Sequence, residues 1–279
     1  MGQKTKISWC DSTWNPVTGC LNGCEYCYAY NIAYRFGSVS TERNSENGYD
    51  CDLYEGTGEN HVLDKPALRE WKNGKVTKAP YPFCFDPTFH RYKLDEPQRW
   101  KKPRNIFVCS MADLFGDWVP DEWIAEVFQA CEAAPQHRYM FLTKNPARFK
   151  RLRENGIKLP NGCWIGTSVT RDAEQADQYT GKTRYLSDNW DTTAKWFVSV
   201  EPIQERMSRS SIDNLTAMHW VIVGVETGRR VGKVVPKKEW IDEIVEECKR
   251  CRTPIFMKES LRGLMGADFR QEFPWEAAE

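Results

Sequence analysis

Lys195-Trp196-Phe197-Val198-Ser199-Val200 and, further on, Trp220-Val221-Ile222-Val223-Gly224-Val225 decide the fold. Neither run alternates apolar with polar residues. Both faces of each are therefore expected to be buried, as in a parallel sheet covered by helices. Similar short runs, each closed by polar residues, Gly or Pro, lie at 6–9, 81–85, 105–109, 138–142, 163–169 and 254–257. Helical periodicity fills several gaps between them. Residues 120–134 repeat apolar groups at Trp123, Val127 and Cys131, and residues 236–251 at Trp240, Ile244 and Cys248. Pro120, Pro146 and Pro236 stand where helices begin, a position proline tolerates. Strand–helix alternation repeated about eight times gives an α/β fold, most simply a (β/α) barrel, with a doubly wound sheet as the competing arrangement. One polar stretch, 37–80, breaks the rhythm. It is expected to be an insertion after the first helix, holding one short helix at 65–71, within a single domain spanning 1–279.

Composition narrows the function classes. Hydrophobic residues are 41% and charged residues 28% of 279, which excludes wholesale disorder. Lys plus Arg and Asp plus Glu are both 39, so the net charge is zero. A chain-wide polycation is excluded, and a nucleic-acid or phosphate site has to be a local patch. The longest strongly apolar run, 220–225, is far too short to span a membrane, and the first residues carry neither a signal core nor a myristoylation pattern. The expectation is a cytoplasmic protein with no membrane partner. The 11 cysteines are an odd number, which speaks against a disulfide framework in such a compartment. Eight are scattered: Cys10, Cys51, Cys84, Cys109, Cys131, Cys163, Cys248 and Cys251.

The other three are close together in Thr18-Gly19-Cys20-Leu21-Asn22-Gly23-Cys24-Glu25-Tyr26-Cys27-Tyr28-Ala29. The spacing is C-x3-C-x2-C with an aromatic residue before the last cysteine. Three thiolates on one tight loop can hold three corners of a cubane iron–sulfur cluster and leave the fourth iron open to a small molecule. Two other readings stand beside this one: a zinc site, which usually wants four protein ligands, and cysteines with no common ligand. Cys248-Lys249-Arg250-Cys251 repeats the C-x2-C spacing inside a helical pattern, where Cys248 fits the buried face.

The three-cysteine pattern resembles the radical S-adenosylmethionine (SAM) superfamily. The stretch from Ser8 to Cys20 resembles the opening of a phage-associated three-cysteine-motif family of radical-SAM-like proteins. Segments at 107–115, 141–146, 164–169, 199–202, 224–228 and 256–258 fit that family in order. The resemblance implies a radical-SAM-like TIM barrel, complete or partial. It implies Cys20, Cys24 and Cys27 as ligands of a [4Fe–4S] cluster, and SAM on the open iron. A flavodoxin- or ferredoxin-like reductase would supply one electron, and a 5′-deoxyadenosyl radical would act on the substrate.

Barrel chemistry sits where strands end. There the chain is similar to spore photoproduct lyases, another radical-SAM family, which implies Ser110, Lys144 and Ser168 as SAM contacts. It also implies Cys109 as the thiol returning a hydrogen atom to a product radical; the other reading of Cys109 is a buried small hydrophobe. Asp113 is expected to bind substrate or cap a turn. Glu201 and Glu226 are cofactor-binding candidates that could hold ribose hydroxyls, a substrate amine or each other's proton; the other reading is structural hydrogen bonding. Among the histidines only His90 stands out, as it follows Phe85-Asp86-Pro87. Basic clusters at 99–104, 148–153 and 229–238 make a nucleic-acid or nucleotide substrate a candidate. The rival to an enzyme is a metal- or cluster-stabilised phage module that binds nucleic acid without catalysis.

Overall fold

The computed structural model describes residues 5–37, 57–71, 73–172, 193–227 and 230–276. They group into two compact units, one of residues 12–137 and one of residues 5–11 with 138–276.

The first unit opens with β1 (Ser12–Trp14), β2 (Val17–Thr18) and α1 (Tyr28–Phe36). β3 (His61–Leu63), β4 (Leu68–Glu70), β5 (Val76–Lys78) and β6 (Thr88–His90) follow, then β7 (Asn105–Val108) and α2 (Asp121–Glu132). β1 and β7 pair in parallel, with Trp14 opposite Val108. A small sheet in the order β2-β6-β3 lies beside them in the chain's first half, antiparallel at β2–β6 and parallel at β3–β6. In α2, Trp123, Ile124, Val127, Phe128 and Cys131 are buried on one stripe, as the periodicity expects.

The second unit holds β8 (Arg138–Thr143), α3 (Arg148–Glu154), β9 (Trp164–Val169) and β10 (Lys195–Val200). α4 (Arg209–Thr216), β11 (Trp220–Val223), α5 (Lys238–Cys251) and β12 (Ile255–Met257) complete it. Its five strands pair in parallel in chain order. Both faces are covered: every residue of β11 and β12, and all of β10 except Lys195, is buried. Trp196, Phe197, Trp220 and Phe256 sit here almost without exposure, each contributing about 2–3 kcal/mol relative to an exposed side chain. Gly166 makes room for this packing, because a Cβ there would lie 2.4 Å from the Phe197 ring.

The described residues thus form a mixed α/β protein with seven parallel strands, two in the first unit and five in the second. Six of the eight expected runs are strands, and β1 is a seventh that the apolar runs did not mark. Residues 6–9 form a turn instead. Their apolar character serves packing, since Trp9 is 2% exposed and its ring meets those of Phe197 and Trp220. Residues 81–85 also turn, through Cys84 N–H to Tyr81 O and Asp86 N–H to Phe83 O. Pro82 inside that run cannot donate to a ladder. The expected helix at 65–71 is β4, paired antiparallel with β5 around Gly74 at φ 76°. The Asn73-Gly74 turn signal outweighed the helical spacing. The remainder of the expected insertion, 38–56, lies outside the described residues. Among the described residues no helix is long and apolar enough to cross a membrane.

Candidate functional site

The three cysteines lie on the loop that joins β2 to α1. Gly19 opens it at φ 87°, where the backbone of Asp86 approaches so closely that a Cβ would lie 2.1 Å from its carbonyl oxygen. Gly19 N–H donates to Met111 O at 2.9 Å and Cys20 N–H to Phe85 O at 3.1 Å, which fastens the loop to two other segments. Gly23 turns at φ 63°. Cys27 N–H donates to Cys24 O at 3.0 Å, and the Cys27 sulfur caps α1 by accepting from Tyr30 N–H at 3.4 Å. A small apolar cluster of Ala29, Ala33, Phe85 and Met111 supports Cys20 and Cys27 from beneath.

All three thiols are half-buried. Burial pushes the Cys20 thiol up to about 12, with the charges of Asp113, Cys24 and Cys27 adding to the rise. The sulfurs therefore share one field. Among the described residues no three His, Cys, Asp or Glu side chains gather round a point where one metal ion would sit. A lone zinc needs every sulfur about 2.3 Å from one centre. Three soft thiolate donors on one loop suit the corners of an iron–sulfur core.

Ser110 stands beside this loop. Tyr28, directly after Cys27, donates its hydroxyl to Ser110 O at 2.6 Å. Ser110 Oγ donates to Asn15 Oδ1 at 3.2 Å, and Met111 N–H donates to the same oxygen at 3.0 Å. Cys109, at the end of β7, is buried with φ 58°. Burial raises its thiol to about 12. It stays an S–H group at neutral pH. Asp113 caps the following turn by accepting Phe115 N–H at 3.1 Å.

The remaining candidates belong to the second unit. Lys144 is half-buried just after β8, where Thr143 Oγ1 accepts Asn145 N–H at 2.9 Å. Ser168 is half-buried in β9, in register with Ser199. Glu201, just after β10, is paired with Lys258, just after β12. A Cβ on Gly224 would press against both, at 2.9 Å from Lys258 and 3.1 Å from Glu201. Glu226 is gripped by Arg230 at 2.6 and 2.7 Å, and that hydrogen bonding holds its carboxyl below the usual range.

Other expectations change as well. His90 is fully buried in β6, with Thr18 Oγ1 2.8 Å from Nε2. Burial, and then Lys93, lower it to about 3, so it is a neutral structural residue. Cys84 is disulfide-bonded, a single bridge where the odd cysteine count spoke against a disulfide framework, while the nine other described cysteines are not in disulfides. Each basic cluster has at least one paired cation: Arg99 with Asp95, Lys150 with Glu154, Arg230 with Glu226, and Lys238 with Asp242 and Asp268. Asn15, Asn22 and Lys258 were missed as site residues. Lys258 had a signal, its place just past the last apolar run.

A family described as "Protein of unknown function (DUF5131)" matches residues 4–263. The chain belongs to the DUF5131 family. No curated protein matches this DUF5131 chain. Among solved structures it is similar to spore photoproduct lyase. A cysteine-to-alanine variant with dinucleoside spore photoproduct has 11% identity and a TM-score of 0.51, covering 92% of this chain and 79% of that one. The enzyme complexed with dinucleoside spore photoproduct gives 10%, 0.50 and the same coverage. A cysteine-to-serine variant gives 12% and 0.50, again with 92% and 79% covered. At these identities the likeness is one of fold.

Proposed function

We propose that this DUF5131 protein is a radical SAM enzyme, built as one domain over 1–279 on an incomplete (β/α) barrel. The observation that carries the reading is the loop with Cys20, Cys24 and Cys27 side by side between β2 and α1, in a chain whose fold resembles spore photoproduct lyase. The three thiolates would hold a [4Fe–4S] cluster, with SAM on the iron that no cysteine occupies. When bound, the pair supplies a one-electron cleavage of the sulfonium to methionine and a 5′-deoxyadenosyl radical, the electron coming from an external flavodoxin- or ferredoxin-like reductase.

This chain's own residues bind, orient and shield. The Lys144 ammonium suits the SAM carboxylate, and the hydroxyls of Ser110 and Ser168 suit carboxylate or ribose oxygens. Glu201 and Glu226, each already held by a cation, would accept from ribose hydroxyls or an amine at the strand ends. Cys109 keeps its proton, which a hydrogen-atom donor requires. The substrate class is a nucleotide or nucleic acid, in keeping with the dinucleoside spore photoproduct bound in the similar structures.

Anaerobic reconstitution with iron and sulfide tests the reading. A brown protein that forms 5′-deoxyadenosine from SAM and dithionite is expected, with both properties lost in Cys24→Ala. A colourless protein carrying stoichiometric zinc, or activity retained in Cys24→Ala, overturns it.

A further inference from the structure

The spacer between Cys20 and Cys24 is Leu21-Asn22-Gly23, exposed throughout. Asn22 nevertheless makes a directed contact: its side-chain Nδ2 donates to Asp113 Oδ2 at 3.1 Å, across 91 residues of sequence. Asp113 is itself 5% exposed, and its other oxygen is fixed by Phe115 N–H at 3.1 Å. A carboxylate is costly to bury unless its oxygens are hydrogen-bonded, and here each oxygen has a donor. Gly19 N–H to Met111 O closes the same two segments from the other side of Cys20.

A fixed negative charge on a buried carboxylate bonded to this loop opposes the addition of an electron to anything the thiolates hold.

We propose that Asp113 is a positioning residue for the cysteine loop, clamping it through the Asn22 side-chain amide, and that its buried charge lowers the reduction potential of a cluster bound there. The inference rests on the cluster reading of Cys20, Cys24 and Cys27.

The test uses the full chain and two readouts. Hydrogen exchange over residues 19–24 is followed in the protein as purified. The cluster's midpoint potential is followed by electron paramagnetic resonance after anaerobic reconstitution. Asp113→Asn keeps the size of the side chain and an oxygen for Phe115. It is expected to speed exchange over 19–24 and to move the potential to the positive side. Asn22→Ala keeps the charge and releases the clamp. It is expected to speed exchange equally and to move the potential, if at all, to the negative side. Asp113→Glu restores the charge and should bring the potential back towards that of the parent. Parent-like exchange in both Asp113→Asn and Asn22→Ala overturns the clamp. A parent-like potential in a loaded Asp113→Asn protein overturns the charge effect. If Asp113→Asn fails to fold, the exposed Asn22→Ala site still decides the clamp, and its potential moving to the positive side overturns the charge effect. A parent protein that takes up no cluster defeats the functional reading, while exchange still decides the clamp.

Discussion

Cys24-x2-Cys27 and Cys248-x2-Cys251 have the same spacing and opposite fates. The first pair sits on a glycine-flanked loop running into α1, half-buried, near a third thiol. The second lies within α5, where Cys248 faces the core at 1% exposure and Cys251 is exposed and donates to Glu247 Oε1 at 3.3 Å. Cys248 lies on the packed face of α5 and Cys251 is the last residue of that helix, whereas the first pair follows Gly19 and Gly23 at positive φ. One spacing is thus carried by two different backbones, and the glycines are the visible signature of the loop.

The sharpest way to break this contrast is to delete one cysteine from each pair. Cys24→Ala is expected to abolish cluster uptake, measured as iron and sulfide per chain. Cys248→Ala should leave uptake intact and cost about 1 kcal/mol of stability in denaturant unfolding, as a small buried side chain is lost. The two loop glycines offer the next test. Gly19→Ala forces a Cβ into the Asp86 backbone, so uptake should fall severely. At Gly23 nothing lies within 4 Å of an added Cβ, so Gly23→Ala should cost only about 1 kcal/mol from its left-handed φ.

Acid should separate the two neighbourhoods more gently. His90 is lowered from 6.5 to about 3. The unfolded chain therefore binds the extra proton first, and the Thr18–His90 neighbourhood weakens as pH falls below about 6.5. Glu247 is held down to about 2 by Arg250, then by Cys251 and Arg209, from an ordinary 4.5. Its contribution is present above 4.5 and is lost only as pH falls from there towards 2. Hydrogen exchange against pH should show β6 loosening before α5. His90→Gln should flatten the first slope and Glu247→Gln the second. The smallest expected effect is that of Tyr28→Phe, which removes the hydroxyl bonded to Ser110 O and should cost about 1 kcal/mol with the cysteines intact.

The second unit was legible because its strands are buried on both faces, so unbroken runs such as Lys195–Val200 and Trp220–Val223 mark themselves. The same rule misled where an apolar run plugs a core from a turn, as Trp9 does, or contains a proline, as Pro82 does. β1, only three residues long, carried no such run. The cysteine trio stands out in the sequence by its spacing alone. The long-range contacts of the candidate residues do not. Asn15 meets Ser110 across 95 residues, Asn22 meets Asp113 across 91, and Lys258 meets Glu201 across 57. An asparagine that joins two distant loops looks locally like any loop asparagine.

Cys109 bends its backbone in a way that few amino acids tolerate cheaply, and φ 58° there is pinned by hydrogen bonds to Trp14 and Ala112. The strain costs about 1–2 kcal/mol for an ordinary L-residue and much less for glycine, asparagine or aspartate. A natural relative that had dispensed with this thiol would be expected to carry one of those three at the position, and a branched aliphatic least of all. The side chain at this bend therefore works as a readable marker: sulfur would mean that the proposed hydrogen donor has been kept, and a turn-former that it has been given up.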